Sequence, residues 1–324
     1  MDMTLRDNAV RLGKKAVTDY RIPLLTVLLF AVMSLTKERF ASAYNIYSIA
    51  DSVAGYGIAA IGFTFILLVG QLDISFGSVI ALTACVFMMM LKAEMNFFLA
   101  LGTALVLGCV CGAITGFFVA NFRLSPFIVS MTMQLVYKGI ALTITKSTPV
   151  AMQHPTLTAI YSMKFFNMIP VTFLVFIALA LIVEFVLRKT QFGRNLYLVG
   201  GNIHAADNLG MKSSRYVWSA YILQGLFAAI AGVVMMTRQF SASGNLALQG
   251  PLNVIPMVIV GGTSMAGGKG GAIKTIWGVL LMNIVFNAMN MFSIPAPLQP
   301  FVKGLILCVV IVSDKYMERR HEKV

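Results

Sequence analysis

Several apolar stretches of this chain run uninterrupted for about 20 residues, the length at which a helix rising 1.5 Å per residue crosses a hydrocarbon core of about 30 Å. The stretches are continuous rather than alternating, so they read as helices and not as barrel strands. Backbone groups in lipid must be satisfied internally, which leaves only these two architectures. The expectation is an all-α transmembrane chain, a polytopic helical bundle. Of its 324 residues, 58% are hydrophobic and 11% charged, against about 45–50% and about 25% in soluble domains.

The runs place spans at 22–36, 46–70, 74–91, 97–120, 126–145, 169–187, 216–236, 251–264, 275–292 and 299–313. That makes about ten, with eight or nine if the short run at 251–264, which carries Pro251 and Pro256, re-enters instead of crossing. Segment 1–21 holds Arg11, Lys14, Lys15 and Arg21 ahead of the first run, and no small-residue cleavage site follows, so a retained first span is expected. With the N-terminus inside, 17 of the 25 Lys and Arg fall in inside segments. Seven fall outside, namely Lys37, Arg39, Lys92, Lys146, Lys164, Arg238 and Lys303, while Lys138 lies within a span. The excess predicts cytoplasmic N- and C-termini. The chain then divides into a cytoplasmic segment 1–21, a transmembrane domain 22–313 with a long inside loop at 188–215, and a tail 314–324. Equal numbers of spans starting inside and outside allow an inverted repeat, although no internal sequence repeat is visible.

The formal net charge of +13 serves topology, because no soluble segment is long enough to form a nucleic-acid-binding domain. Cys85, Cys109, Cys111 and Cys308 all fall in apolar runs, where cysteines behave as small buried hydrophobes, and imply no disulfide or metal framework. His154, His204 and His321 fall in loops and the tail without forming a ligand cluster. No cofactor is expected.

Three segments break the apolar pattern. In Gly70-Gln71-Leu72-Asp73-Ile74-Ser75-Phe76-Gly77-Ser78, glycines and hydroxyls at membrane depth mean close packing or backbone facing a cavity. Asp73 there either lies near the cytoplasmic surface, capping a helix that begins at Ser75 or Phe76, or borders a transport path, since an intramembrane carboxylate demands a partner or water. In 261–271, six of eleven residues are glycine. The P-loop spacing is absent there and elsewhere, so any ATP hydrolysis belongs to another chain. These glycines suit a tight helix crossing with a turn, or direct substrate contact at Gly262. In loop 188–215, residues His204 to Leu209 form a short predicted helix with Asn202 as N-cap and Gly210 as its stop. Carried on a basic loop, it is either a docking element or an ordinary interfacial segment.

Polar residues also occur inside spans: Asp51, Gln134, Lys138, Glu184, Gln224, Asn283, Asn287 and Asn290. The last three share one helix face, suited to a hydroxyl-rich ligand or to interhelical hydrogen bonds. Glu184 and Arg188 are spaced as an i,i+4 pair.

In order and spacing these segments resemble the permease family of ribose-type sugar importers, within the ATP-binding-cassette systems. The resemblance rests on Gly70 to Ser78, on Phe192-Gly193-Arg194 with Gly200-Gly201-Asn202 and the stretch Ala205, Ala206, Asp207, Asn208, Leu209, Gly210, and on Gly261-Gly262-Thr263-Ser264 with Gly267-Gly268-Lys269-Gly270. It covers about 40 to 315. Gln71 departs from the family's usual glycine.

The resemblance implies an alternating-access pore made of two permease chains, identical or related, in a bacterial inner membrane. It also implies cytoplasmic ATP-binding-cassette ATPase subunits and a periplasmic sugar-binding protein, with Ala205 to Gly210 as the ATPase-coupling helix. Asp73, Ser75, Gly77, Gly262, Asn283 and Asn287 are the residues expected along the substrate pathway. Two rival classes are an ion-coupled transporter using Asp51, Asp73 or Glu184 and a passive channel, the latter lacking any filter-like or ring-forming charge pattern. Loss of uptake on deleting a partner ATPase separates the importer from both.

Overall fold

The computed structural model describes residues 20–165 and 168–321, with side chains described to residue 312. Most of the expected N-terminal segment and the end of the tail lie outside the described residues. The helices are α1 (Tyr20–Thr36), α2 (Ala43–Leu68), α3 (Phe76–Lys92), α4 (Phe97–Phe122), α5 (Pro126–Ile144), α6 (Pro155–Ser162), α7 (Val171–Lys189), α8 (Gln191–Gly201), α9 (Ile203–Asn208), α10 (Ser213–Gln239), α11 (Gly250–Gly261), α12 (Ala272–Met291) and α13 (Gln299–His321). Two small antiparallel ladders join the connections: β1 (Val150–Ala151) with β4 (Ser241–Ala242), and β2 (Lys164–Phe165) with β3 (Ile169–Pro170).

Six helices, α2, α4, α5, α7, α10 and α12, are long and apolar enough to cross a membrane, and α1, α3, α11 and the Ala296–Val312 stretch are shorter apolar helices. An all-α membrane architecture follows. Its inside–outside pattern differs from that of a soluble bundle. Helix α2 is apolar all round and buried along most of its length, as a central helix must be. Helices α4 and α5 instead expose Phe98, Val106, Ile128 and Leu135 outward. Cys308 is exposed too, in contrast to the buried setting expected for all four cysteines.

Helix α10 runs antiparallel to both α2 and α4. On one side Gly55 lies against Met235 and Gly62 against Phe227; on the other, Gly108 lies against Gly225, and Gly112 against the Tyr221 backbone. Lipid tails offer no hydrophobic drive between helices, so association relies on close packing, which small residues permit.

Two helices begin inside the bundle. Gly77, at the start of α3, packs against the Ala247 carbonyl at 2.6 Å and Pro251 at 3.4 Å, measured from where its Cβ would stand, so the first turns of α3 and α11 meet. Helix α11 has 12 residues, about 18 Å of rise, too short to cross alone. The run at 251–264 is thus a half-length helix, reached by the non-helical segment 243–249.

The α4–α10 crossing yields a stability test. Gly108→Val places side-chain atoms on the Gly225 carbonyl and should lower the thermal midpoint of the detergent-solubilised protein, at an overpacking cost of about 1–3 kcal/mol. Gly102→Val, on the same helix with nothing within 4 Å of its Cβ position, should leave the midpoint within a degree or two of wild type. Equal midpoints for the two variants would contradict the packing described.

Candidate functional site

One end of the bundle gathers the loop 188–215. The stretch expected to be irregular before the short helix is itself helical: Thr190 accepts the Gly193 N–H at 3.1 Å and starts α8. Leu196 and Val199 turn the apolar face of α8 inward. A single residue, Asn202, separates α8 from α9; its side chain accepts the Ala205 N–H at 2.9 Å, the expected N-cap. Helix α9 stops where Gly210 adopts φ +78°, a left-handed conformation that glycine adopts without steric cost, and donates to the Asp207 carbonyl at 2.9 Å. Ala206 is buried, whereas Ala205, Asn208 and Leu209 face outward, and Asp207 stands 3.5 Å from Arg123 in the α4–α5 turn. The result is a short protruding helix with an exposed leucine at its tip.

The chain between α2 and α3 lies deeper. Tyr221, about 12 Å into α10 at 1.5 Å per residue, donates its hydroxyl to the Leu72 carbonyl at 3.0 Å. Asp73 is 3% exposed, and its carboxylate accepts the Ser75 N–H at 2.7 Å and the Ser75 hydroxyl at 2.6 Å. The aspartate is therefore buried within the protein and closes the turn ahead of α3. Ser75 is the N-cap residue of α3 by position.

The glycine-rich segment forms the connection from α11 to α12. Gly262 ends α11 at φ +105°, and the Gly268 N–H reaches across to the Leu68 carbonyl of α2 at 3.0 Å. Tyr197 of α8 donates to the Gly270 carbonyl at 3.0 Å. Glu184 of α7 accepts the Ile273 N–H at 3.1 Å, capping α12 from a neighbouring helix while it also pairs with Arg188. The i,i+4 spacing of Glu184 and Arg188 is legible in sequence, but this second role is not, because nothing local marks it.

At the opposite end, Asn283, Asn287 and Asn290 of α12 border a cavity of about 130 Å³ with Ser48, Ser52 and Arg238. The amides have partners in the protein. Asn287 and Asn45 exchange hydrogen bonds at 2.9 and 3.1 Å, Asn283 donates to the Val279 carbonyl at 2.9 Å, and Asn290 accepts from Gln299 at 2.9 Å. Arg238 bridges Asp51 at 3.1 Å and Ser52 at 3.1 Å, fixing α10 to α2. The Asp51 partner, 187 residues away in sequence, is the clearest feature that sequence reading missed.

The six residues expected along a pathway thus fall into three places. Asp73, Ser75 and Gly77 line the α2–α3 break and Gly262 ends α11, while Asn283 and Asn287 border the polar cavity. Between them, Thr64 and Thr275 pair at 2.8 Å and join α2 to α12. What the structure does gather at one point is the three glycine-bearing segments, which are far apart in the chain.

The family model described as branched-chain amino acid transport system / permease component matches residues 45–311. Similar proteins include the ribose import permease protein RbsC of Haemophilus influenzae, 29% identical over 90% of this chain and 91% of its own length. RbsC of Bacillus subtilis is 30% identical over 89% and 90%. The L-arabinose ABC transporter permease protein AraH of Azospirillum brasilense is 30% identical over 93% and 88%. No solved structure matches the chain.

Asp73→Asn keeps an acceptor for the Ser75 N–H and should retain near-normal yield and thermal midpoint. Asp73→Ala leaves that buried donor unsatisfied, at about 1–3 kcal/mol, and should lower both, read by fluorescence-detected gel filtration after heating. Equal behaviour of the two variants would remove the turn-closing role.

Proposed function

We propose, on the premise that this chain belongs to the family of branched-chain amino acid transport system permease components, that it is the membrane-spanning permease of a sugar importer driven by an ATP-binding-cassette ATPase. The observation that carries this reading is the near full-length similarity to ribose and arabinose permeases, together with the short helix α9 presented at one end of the bundle. The chain carries no P-loop spacing, so in this reading ATP hydrolysis belongs to the partner subunit. Its partners are cytoplasmic ATPase subunits, a second permease chain and a periplasmic binding protein that delivers a monosaccharide or sugar-like solute.

In this reading the chain resides in the bacterial inner membrane with about ten spans, or eight or nine full crossings if the half-length α11 re-enters, and both termini cytoplasmic, the α9 end facing the cytoplasm. Residues 22–313 form the permease domain. Residues Ala205 to Gly210 seat in the ATPase, and alternating access follows from the preference of the nucleotide-bound ATPase for one permease conformation. Without that bias a permease only equilibrates its substrate. The substrate path runs from Asn283 and Asn287, whose amides both donate and accept hydrogen bonds as sugar hydroxyls require, towards Gly262 and the turn of Asp73, Ser75 and Gly77. An ion-coupled mechanism has less support, because Asp51, Asp73 and Glu184 each already have a partner.

The reading is tested by co-purification with the partner ATPase and sugar-stimulated ATP hydrolysis in liposomes containing the binding protein. Uptake that needs no ATPase and collapses with the proton gradient would overturn it. Replacing Asp207 by Trp, or Gly210 by Val, should leave membrane insertion intact while reducing sugar uptake per ATP hydrolysed by about tenfold, within the range usual for coupling between sites. Normal uptake by both variants would exclude α9 as the coupling element.

A further inference from the structure

The contact among the three glycine segments is made of backbone. Leu68 to Gly70 ends α2, Gly200 and Gly201 end α8, and Ala266 to Gly268 lies in the connection from α11 to α12. A methyl group at Gly200 would overlap the Leu68 carbonyl oxygen and come within 2.8 Å of the Gly268 nitrogen. One at Gly267 would overlap the Gly200 carbonyl and stand 2.9 Å from the Gly70 nitrogen, and one at Gly268 would stand 2.8 Å from the Gly201 Cα. No side chain lies between these segments to absorb a shift by changing rotamer.

The position of this contact in the chain gives it a use. Gly200 and Gly201 immediately precede Asn202 and α9, so a displacement of α9 is passed directly to them. Leu68 to Gly70 lead through the Asp73 turn into α3, and Gly262 to Ala266 connect the same contact to α11. Those are the two helices that start inside the bundle. Packed elements of this kind move between discrete arrangements and do not deform continuously. Tyr197 adds a directional bond from α8 to the Gly270 carbonyl at 3.0 Å. Burial, reinforced by the Glu184 carboxylate, pushes its phenol pKa up, so the hydroxyl remains a donor at neutral pH.

We propose that Gly200, Gly267 and Gly268, locked by Tyr197, are positioning residues that transmit movement of the α9 helix to α3 and α11 during transport. The proposal rests on the importer reading and adds to it the route by which docking reaches the membrane interior.

The test uses the complete importer, this chain with its ATPase and binding protein, in liposomes supplied with ribose or arabinose. The quantity read is sugar moved per ATP hydrolysed. Gly200→Ala should assemble and hydrolyse ATP but lower this ratio about tenfold. Tyr197→Phe, which removes one hydroxyl and leaves the packing in place, should lower it about fivefold, the factor for one hydrogen bond of about 1 kcal/mol. Gly102→Ala should keep the wild-type ratio. An assembled Gly200→Ala importer with the wild-type ratio would overturn the proposal. If Gly200→Ala fails to assemble, Tyr197→Phe decides, and an unchanged ratio there overturns it as well. A wild-type chain that neither binds an ATPase nor takes up sugar would remove the importer reading itself, an outcome distinct from a wild-type importer with insensitive variants.

Discussion

Every helix that begins or ends inside an apolar bundle leaves backbone donors and acceptors that no water can reach, and the rest of this structure depends on how they are paired. Helices α3 and α11 start there, and α2 ends there. One partner is local, the Asp73 carboxylate for Ser75, and the others come from distant parts of the chain: the Leu68 carbonyl for Gly268, the Tyr221 hydroxyl for the Leu72 carbonyl and the Glu184 carboxylate for Ile273. Each of these groups would cost about 1–3 kcal/mol if left alone. The segments that look most irregular in sequence are therefore among the most constrained in space.

This pairing explains why glycine recurs in the three segments that meet there. A hydrogen bond between the Gly268 and Leu68 backbones requires two chains to approach with nothing between them, and the Gly200 position is tight enough that even a methyl group does not fit. The same steric logic recurs at the α4–α10 crossing. There it holds two regular helices together; at the α2–α8 contact it holds the ends of elements, which are free to change direction.

The helices were legible because lipid imposes length and apolarity together, and spans such as 97–120 and 126–145 match α4 and α5 to within two residues. The short helix after Asn202 was legible too, since a cap and a stopping glycine are local signals. Helix α8 was missed because its one apolar turn, Leu196 to Val199, follows Arg188, Lys189 and Arg194 and is flanked by glycines, so it reads as part of a basic loop. Small connecting elements such as α6, capped by His154, escaped notice because one or two turns leave little periodicity. At the site, local chemistry showed that Asp73, the glycines and the asparagine face were unusual. It could not show that Glu184 caps α12 or that Arg238 holds Asp51, because long-range pairing leaves no mark in neighbouring residues.

Helix α2 is tied at its two ends by different kinds of contact. Near its start, Asn45 exchanges hydrogen bonds with Asn287, and Asp51 and Ser52 hold Arg238; near its end, backbone meets backbone. Water can stand in for an amide or a guanidinium one bond at a time, so the first end loosens by becoming wet. At the other end the backbones of Leu68, Gly200 and Gly268 touch with no side chain between them, so that end shifts only as a block. The bundle thus has a hydratable rim on one face and an incompressible knuckle on the other.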